Sequence, residues 1–268
     1  MHWVEAGAGP TVVLLHGFPE MWWSWRHQIQ ALAEAGFRVV VPDQRGYNDT
    51  GKQGPYDLET LSGDICNLID ALGAGPKARI VGHDWGGAVA WYLGVRRPEH
   101  VERLAVLNCP HPLAMRAGLL KPRQALRSWY MFFFQVPALA EWLLTKDGAG
   151  NLLRMLKGNA IDRTNYSDEE LQPFADAIQK PGAAKAMVGW YRAMPKQLLN
   201  PPPVTTIEVD TLLLWGMRDS ALGFDELVPG TERWVKNLKV QRIENAGHFV
   251  QSDQPAKVNE ALIDFLSA

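Results

Sequence analysis

Cysteine is scarce in this chain, with only Cys66 and Cys109 among 268 residues. Two thiols are too few for the disulfide framework of a small secreted protein. Residues 1–5 form neither a basic nor an apolar leader, so no signal peptide is evident. We therefore expect two buried, unpaired thiols and a cytoplasmic location.

Long hydrophobic runs are also missing. A membrane-spanning helix needs about 20 consecutive apolar residues, whereas the aromatic stretch at residues 130–134 is interrupted directly afterwards. Charge is nearly balanced as well, since 27 Lys and Arg against 29 Asp and Glu give a formal net charge of −2 without a basic block. The sequence thus predicts neither a membrane nor a nucleic-acid partner, while its 47% hydrophobic content suffices for a sizeable core.

Short apolar runs alternate with helix-period segments at both ends of the chain. Runs typical of strands buried on both faces occupy residues 11–15, 38–41, 78–81, 104–107, 211–215 and 240–243. Helical patterns occupy residues 22–35, 58–72, 85–96 and 256–266. This alternation predicts an α/β fold with a mostly parallel sheet flanked by helices.

The middle third of the chain lacks a convincing strand pattern. Its helix-period segments are residues 123–134, 138–145, 151–157, 168–179 and 183–194, and proline-containing connections bracket them. We predict a core domain of residues 1–109 and 204–268, interrupted by a helical cap domain of residues 110–203. Catalytic groups are expected at the carboxyl ends of the core strands.

One strand end carries a nucleophile motif. Residues 82–86 fit the G-x-nucleophile-x-G turn between a strand and a helix, in which small residues permit a very sharp bend. The residue at its apex is Asp84 rather than serine. A carboxylate needs no base to be nucleophilic at neutral pH, and its attack on saturated carbon forms an alkyl ester that water can hydrolyse. A glycine-rich turn with a helix-capping aspartate is the purely structural alternative.

Hydrolysis of such an ester requires a base and a carboxylate that orients it. His248 lies in a small-residue loop after the strand at 240–243, and Asp219 follows the strand at 211–215. The order nucleophile, acid, base along the chain fits the same type of sheet enzyme. Neighbouring positions considered for the acid are Asp225, Glu226 and the uncharged Asn108.

Backbone N–H groups are expected to bind the oxyanion formed during hydrolysis. Trp85 follows the nucleophile, and Phe18 lies in the loop after the strand at 11–15, so these two residues are the predicted donors. The Phe18-Pro19 bond is a candidate for cis geometry. His16 and His83 are interpreted as hydrogen-bonding supports of their loops rather than as catalytic groups.

With these parts in order, the sequence closely resembles the epoxide hydrolases of the α/β-hydrolase fold. The matching stretches span almost the whole chain and are residues 16–20, 43–47, 82–87, 108–110 and 247–248. The resemblance implies two tyrosines that donate hydrogen bonds to the epoxide oxygen, and it assigns them to Tyr130 and Tyr191. Family members usually have a further strand-forming segment before a stretch like residues 2–7, so an edge strand is expected to be missing here.

The resemblance also implies a reaction and its partners. Tyr130 and Tyr191 would hold the epoxide oxygen while Asp84 attacks a ring carbon, and His248 oriented by Asp219 would then activate water, giving a vicinal diol. The expected partners are a small apolar epoxide and water, with no metal or cofactor, and the protein is compatible with a homodimer.

Tryptophan is abundant, with 11 residues. We predict that Trp85, Trp129, Trp190 and Phe18 line the substrate pocket, and aromatic walls of this kind suit an apolar aryl or alkyl epoxide.

Two alternative functions stay open at this point. A haloalkane dehalogenase shares an aspartate elbow followed by tryptophan, but it typically has asparagine at the position of Phe18 and lacks the tyrosine pair. A non-catalytic ligand-binding member of the fold would keep the pocket without turnover.

Overall fold

The computed structural model describes residues 1–199 and 205–268. The strands are β1 (Trp3–Ala6), β2 (Thr11–Leu15), β3 (Arg38–Pro42), β4 (Ala78–His83), β5 (Val101–Leu107), β6 (Thr211–Gly216) and β7 (Leu238–Ile243). They form one sheet in the order β1-β3-β2-β4-β5-β6-β7. All neighbouring pairs from β3 to β7 are parallel, and only β1 joins β3 antiparallel. The predicted α/β fold with a mostly parallel sheet is confirmed.

The helices follow and separate these strands. They are α1 (Arg26–Glu34), α2 (Leu58–Ala71), α3 (Trp85–Arg96), α4 (Pro112–Gly118), α5 (Pro122–Arg127), α6 (Trp129–Phe133), α7 (Leu139–Asn159), α8 (Asp168–Gln179), α9 (Ala183–Leu199), α10 (Phe224–Leu227), α11 (Val250–Asp253) and α12 (Pro255–Ser267). No helix within the described ranges has the length and apolar character to cross a membrane.

Alternate side chains of the central strands face two separate apolar layers. On β2, Val12 and Leu14 pack into a cluster that includes Leu32 of α1 and Leu262 of α12. The intervening residues of β2 pack into a second cluster, which contains α2 and α3 and continues into the helices between β5 and β6. Because each fully buried valine or leucine contributes about 1.5–3 kcal/mol, these two layers hold the strand ends in fixed positions.

The sheet has an edge strand that the sequence analysis did not predict. β1 alternates between exposed and partly buried residues, and Trp3 pairs with Pro42 of β3. A four-residue strand with a weak alternation gives little periodic signal, which explains the omission. Residues 2–7, which the resemblance places next to a missing edge strand, therefore contain the strand that forms this edge of the sheet.

The helices α4 to α9 form an insertion between β5 and β6. The prediction of one continuous helix over residues 123–134 is wrong, because the helix is interrupted at Ser128, between α5 and α6. The hydroxyl of Ser128 accepts a hydrogen bond from Gln124 Nε2 at 3.0 Å. Helix α7 kinks where residues 147–149 adopt positive φ, in the gap between two predicted segments. The predicted boundary at 203/204 lies outside the described residues, so the division into core and cap domains stays a prediction.

Candidate active site

Asp84 lies at the apex of the turn that joins β4 to α3, with φ 48° and ψ −120°. This positive φ is strained for a residue with a side chain. The turn is possible because its flanks are glycines: a Cβ on Gly82 would lie 2.3 Å from the Gly86 carbonyl oxygen, and one on Gly86 would lie 2.2 Å from the Leu15 carbonyl oxygen. The predicted sharp elbow is therefore present, and it projects a carboxylate above the carboxyl ends of the strands.

His248 lies between two carboxylates. Its Nδ1 is 2.8 Å from Oδ2 of Asp219, and its Nε2 is 3.5 Å from Oδ2 of Asp84. The Asp219 side chain is 1% exposed, whereas those of His248 and Asp84 retain 10% and 13% exposure. The structure thus brings together the three residues predicted as acid, base and nucleophile, with the acid behind the imidazole and the nucleophile in front of it.

The Asp219 carboxylate is held by four donors. Oδ1 accepts the backbone N–H groups of Ala221 and Leu222 at 2.8 and 2.9 Å, and Oδ2 accepts Asn108 Nδ2 at 2.8 Å in addition to His248. Asn108 therefore supports the acid from the end of β5. The other positions weighed for the acid lie elsewhere: Asp225 is exposed, and Glu226 pairs with two arginines.

The pKa values of Asp84, Asp219 and His248 depend on one another. Burial raises the pKa of Asp84, but the hydrogen bond and charge of His248 outweigh it and hold that pKa below its ordinary value. The same opposition between burial and His248 lowers the pKa of Asp219. For His248, burial lowers the pKa, but the two carboxylates raise it well above its ordinary value. Asp84 is therefore ionised, and the imidazole binds a proton strongly while both carboxylates are charged.

The predicted oxyanion donors adjoin the nucleophile. The Phe18 N–H donates to Asp84 Oδ1 at 2.8 Å, and the Trp85 N–H belongs to the first turn of α3, where helix amides lack intrahelical acceptors. The Phe18-Pro19 bond is cis, as predicted. One backbone donor thus contacts the Asp84 carboxylate, and the second belongs to the next residue of the chain.

A buried polar network connects the surrounding loops. His83 Nε2 donates to the His248 carbonyl oxygen at 2.8 Å, and its Nδ1 lies 2.8 Å from Oε2 of Glu20. Glu20 also accepts the Gly17 N–H at 3.1 Å and Gln251 Nε2 at 3.0 Å. The interpretation of His83 as a loop support is confirmed. Glu20 and Gln251 were not singled out by the sequence analysis, since their role depends on three distant loops meeting.

The ring of His16 supports the neighbouring loop in the same way. Its Nε2 accepts the Gln44 N–H at 3.1 Å, and Gln44 Nε2 donates to the His16 carbonyl oxygen at 2.6 Å. The supporting role predicted for His16 is also confirmed.

Tyr130 on α6 and Tyr191 on α9 approach the elbow from the insertion, with ring centroids 6.0 Å apart. Burial and, next, the charge of Asp84 raise the pKa of both phenols well above 10.0, so both remain protonated donors. Gln135 Nε2 joins the two helices by donating to the carbonyl oxygens of Met131 and Tyr191 at 3.0 and 2.9 Å. This side chain fixes the spacing of the tyrosine pair, and nothing in the sequence pattern marked it.

A cavity of about 240 Å³ lies between the elbow and the insertion. Its lining combines Asp84 and the two tyrosines with apolar residues, among which are Trp85, Cys109, Met131 and Leu222. The other polar residues of the lining are Asp57, Glu59, Tyr92, Arg116 and Gln197. The chamber is therefore largely apolar around a few converging polar groups.

Three predicted wall residues lie outside this lining. Trp129 points away from the cavity and is 64% exposed, whereas Trp190 is fully buried behind Trp85 and donates from Nε1 to the Arg45 carbonyl oxygen at 3.0 Å. The Phe18 ring packs edge-on against Tyr191 at 5.0 Å, so only its backbone N–H adjoins the nucleophile. The prediction that these three side chains line the pocket is wrong, and Trp85 alone of the four does so.

Tyr92 of α3 also lines the cavity, and its hydroxyl donates to Glu59 Oε2 at 2.8 Å. Nothing in the sequence pattern indicated this position. Both cysteines are free and buried, as predicted. No three His, Cys, Asp or Glu side chains within residues 1–199 and 205–268 converge to hold a metal ion.

Comparison with known proteins places this geometry in a family. Residues 10–255 match the family model described as alpha/beta hydrolase fold. Epoxide hydrolase A of Mycobacterium tuberculosis is 33% identical over 304 residues, covering 98% of this chain and 93% of that protein. The chain belongs to the epoxide hydrolases of the α/β-hydrolase fold.

Other relatives agree with this assignment. The AB hydrolase superfamily protein YfhM of Bacillus subtilis is 38% identical over 273 residues, covering 99% of the enzyme described here and 94% of its own length. The crystal structure of an epoxide hydrolase of Bacillus megaterium in complex with an inhibitor superposes with a TM-score of 0.91 at 27% identity, covering 100% and 96% of the two chains. The chain is thus an epoxide hydrolase enzyme.

Proposed function

We propose that this enzyme opens small apolar epoxides to vicinal diols through a covalent ester on Asp84. The observation that carries the proposal is the position of His248 between Asp219 and Asp84, while Asp84 lines the same cavity as two protonated phenols. The nucleophile and a pair of proton donors therefore line one chamber, and the base with its orienting acid adjoins the nucleophile.

In the first step, Asp84 attacks a ring carbon of the epoxide. The new bond joins a carboxylate oxygen to that carbon, and the bond from that carbon to the epoxide oxygen breaks. Hydrogen bonds from Tyr130 and Tyr191 stabilise the charge that develops on the oxygen, and one phenol then transfers its proton to it. Because an unassisted alkoxide is a poor leaving group, we assign both phenols to this step.

Once the ester has formed, His248 gives the proton that it holds in the free enzyme to the phenolate, which restores the phenol and leaves a neutral imidazole. In the second step, His248 removes a proton from water, and the resulting hydroxide attacks the ester carbonyl carbon of Asp84. The Phe18 and Trp85 N–H groups bind the oxyanion. Collapse breaks the acyl bond to the diol oxygen, which takes the proton from His248. The remaining water proton passes from the regenerated carboxyl of Asp84 to His248, so the reaction balances as epoxide plus water giving diol.

The cavity supports an apolar substrate. Aside from the reacting groups, its lining includes the indole of Trp85 with Met131, Leu222 and Cys109, and burial raises the pKa of the Cys109 thiol well above its ordinary value. A thiol kept protonated does not compete with Asp84 for the electrophile. The alternatives, haloalkane dehalogenation and ligand binding without turnover, do not account for a pair of buried phenols beside the nucleophile.

A single turnover in water labelled with oxygen-18, with enzyme in excess over styrene oxide, tests the covalent step. Label is expected in the peptide that contains Asp84, because the attacking water oxygen stays on the carboxylate, while the diol of the first turnover stays unlabelled. Asp84→Asn provides the control, since it cannot form the ester. Label in the diol with none in the peptide means direct attack of water on the epoxide and overturns the proposal.

Three further properties predicted from the sequence remain proposals. They are the division into core and cap domains, the cytoplasmic location, and the homodimer. The expectation that catalysis uses no metal or cofactor likewise remains a prediction.

A further inference from the structure

The outer surface of the insertion is unusually apolar. Of twelve large apolar side chains that are exposed in the described residues, eight lie between positions 120 and 143. Scattered exposed apolar residues are normal on a soluble protein, but a concentration in one short stretch marks an interaction surface. Leu126, Phe132 and Trp129 are 76%, 71% and 64% exposed, so whole side chains face solvent.

Two pairs of these residues share a helix face, because they lie three or four positions apart within one helix. They are Trp129 and Phe132 on α6, and Leu139 and Leu143 on α7. Leu126 lies on α5, and Val136 lies between α6 and α7. We call these six residues, together with Leu120 and Trp142, the apolar face. The inner sides of the same helices already bury Met131 and Leu144, so the apolar face is additional to what the core needs.

Cations outnumber acids in the stretch of chain that carries the apolar face. Residues 112–147 contain five Lys or Arg and two acids, in a chain whose formal net charge is −2. Arg116 lines the cavity, whereas Arg123 and Arg127 share the single carboxylate of Glu226 at 3.6 and 3.7 Å. Lys146 lies 4.9 Å from the ring centroid of Trp142.

The acids on this side are largely engaged. Glu141 is bound by Arg192 through both of its oxygens, and Asp147 adjoins Lys146 at 4.0 Å. Within this stretch of chain, positive charge therefore exceeds negative charge, against the sign of the whole protein.

We propose that the apolar face docks on the surface of an anionic lipid bilayer. Aromatic and aliphatic side chains bordered by lysine and arginine match the boundary between acyl chains and anionic headgroups. A second copy of the chain fits less well, because twofold self-association would bring together two surfaces that carry the same excess of positive charge. The absence of a spanning segment, from which the sequence predicts no membrane partner, does not bear on docking at the bilayer surface.

Docking would also bring the cavity to the bilayer. The same stretch of chain supplies Met115, Arg116, Tyr130 and Met131 to the cavity lining. Apolar epoxides partition into lipid, so a docked enzyme would receive its substrate from the membrane rather than from dilute solution. This last point rests on the proposed function, whereas the docking itself does not.

Sedimentation of the enzyme with large vesicles tests the proposal without measuring turnover. Binding to vesicles of equal parts phosphatidylcholine and phosphatidylglycerol should be roughly tenfold tighter than to phosphatidylcholine alone, and 0.5 M NaCl should abolish most of that difference. The double variant Phe132→Ser/Trp142→Gln should weaken binding roughly tenfold, because it removes apolar area from the face. Lys121→Gln/Arg123→Gln should weaken only the binding to anionic vesicles.

Val240→Gln is the matched control, since Val240 is 40% exposed on β7 and outside the insertion. It should bind as the unmodified protein does, and unchanged circular dichroism and melting temperature establish that each variant is folded. Absence of preference for anionic vesicles in the unmodified protein overturns the proposal without reference to any variant. A dimer in sedimentation velocity that Phe132→Ser/Trp142→Gln dissociates, without vesicle binding, assigns the face to a second copy and also overturns it.

Discussion

Replacement of Asp219 by asparagine should separate the two halves of the reaction. The carboxylate accepts four hydrogen bonds, two on each oxygen, and Asn108 and His248 share Oδ2. An amide has one oxygen and one NH₂ group, so in either orientation its NH₂ faces two donors. If the NH₂ group occupies the Oδ2 position, the His248 ring must present Nδ1 as an acceptor and carry its proton on Nε2.

The size of the effect follows from that tautomer. A base protonated on the nitrogen facing the substrate cannot accept a proton from water, and tautomer errors of this type lower turnover about 10⁴-fold. The loss of the Asp219 charge also lowers the pKa of His248, since that charge is the main cause raising it. Attack by Asp84 on the epoxide needs no base, so alkylation should lose less than tenfold by the same reasoning. Because the NH₂ group of the introduced asparagine would face two hydrogen-bond donors, the substitution should also lower the free energy of unfolding by about 1–3 kcal/mol.

The assay is rapid quench of the Asp219→Asn variant with excess styrene oxide, followed by mass spectrometry of the intact protein. The variant should accumulate one adduct per chain while diol formation nearly stops. Asp225→Asn is the control, because Asp225 is an exposed acid six positions away and should leave both steps unchanged. Equal loss of alkylation and hydrolysis, or an equal effect of Asp225→Asn, would refute the assignment of Asp219 as the acid that orients the base.

Other substitutions address the remaining groups. His248→Gln should allow alkylation and block hydrolysis, so a variant that forms no adduct contradicts the role of His248 as base. Changing both Tyr130 and Tyr191 to Phe should abolish epoxide opening, as followed by diol formation and by adduct, and an unchanged rate would remove both phenols from the mechanism. Because the phenol pKa values lie well above 10.0, alkylation by the unmodified enzyme should not decline as the pH approaches 10. Gln135→Leu should lower kcat several-fold with a smaller change in KM, because it removes the two hydrogen bonds that set the spacing of the tyrosines. The shorter amide of Gln135→Asn should not restore kcat, and a full recovery of kcat would contradict this role of Gln135.

Residues of the elbow could be predicted because their signal is local. Gly82, Asp84 and Gly86 lie within five positions, and the steric need for glycine at both flanks does not depend on the rest of the fold. The choice of Asp219 over its neighbours was weaker, since distance from a strand end was the only criterion. In the structure, Asn108 from β5 and two backbone amides donate hydrogen bonds to Asp219, and to no other candidate for the acid. These donors come from separate segments of the chain, so no local sequence pattern predicts their convergence.

The error at Trp129 has a simple geometric cause. Consecutive residues of a helix point about 100° apart, so only some of the residues around an inward-facing position share its side. On α6, Tyr130 and Met131 line the cavity and Trp129 lies toward the outside, whereas on α9 Tyr191 lines the cavity and Trp190 turns toward the core beneath Trp85. The sequence does not indicate which neighbour of each tyrosine shares its side. The role of Glu20 depends on loops that are more than 200 positions apart and meet only in the folded chain.

The charge of Asp84 links the two half-reactions. In the free enzyme this charge helps to raise the pKa of His248, after the larger effect of Asp219, so the imidazole holds its proton and is a poor base. Esterification converts the carboxylate to a neutral group and removes that contribution, so the pKa of His248 must fall in the alkylated enzyme. The rate of ester hydrolysis should therefore rise with pH through an inflection below the His248 pKa that NMR measures in the free enzyme. If the inflection of ester hydrolysis equals the His248 pKa of the free enzyme, the charge of Asp84 does not control the base, and the nucleophile and the imidazole act independently.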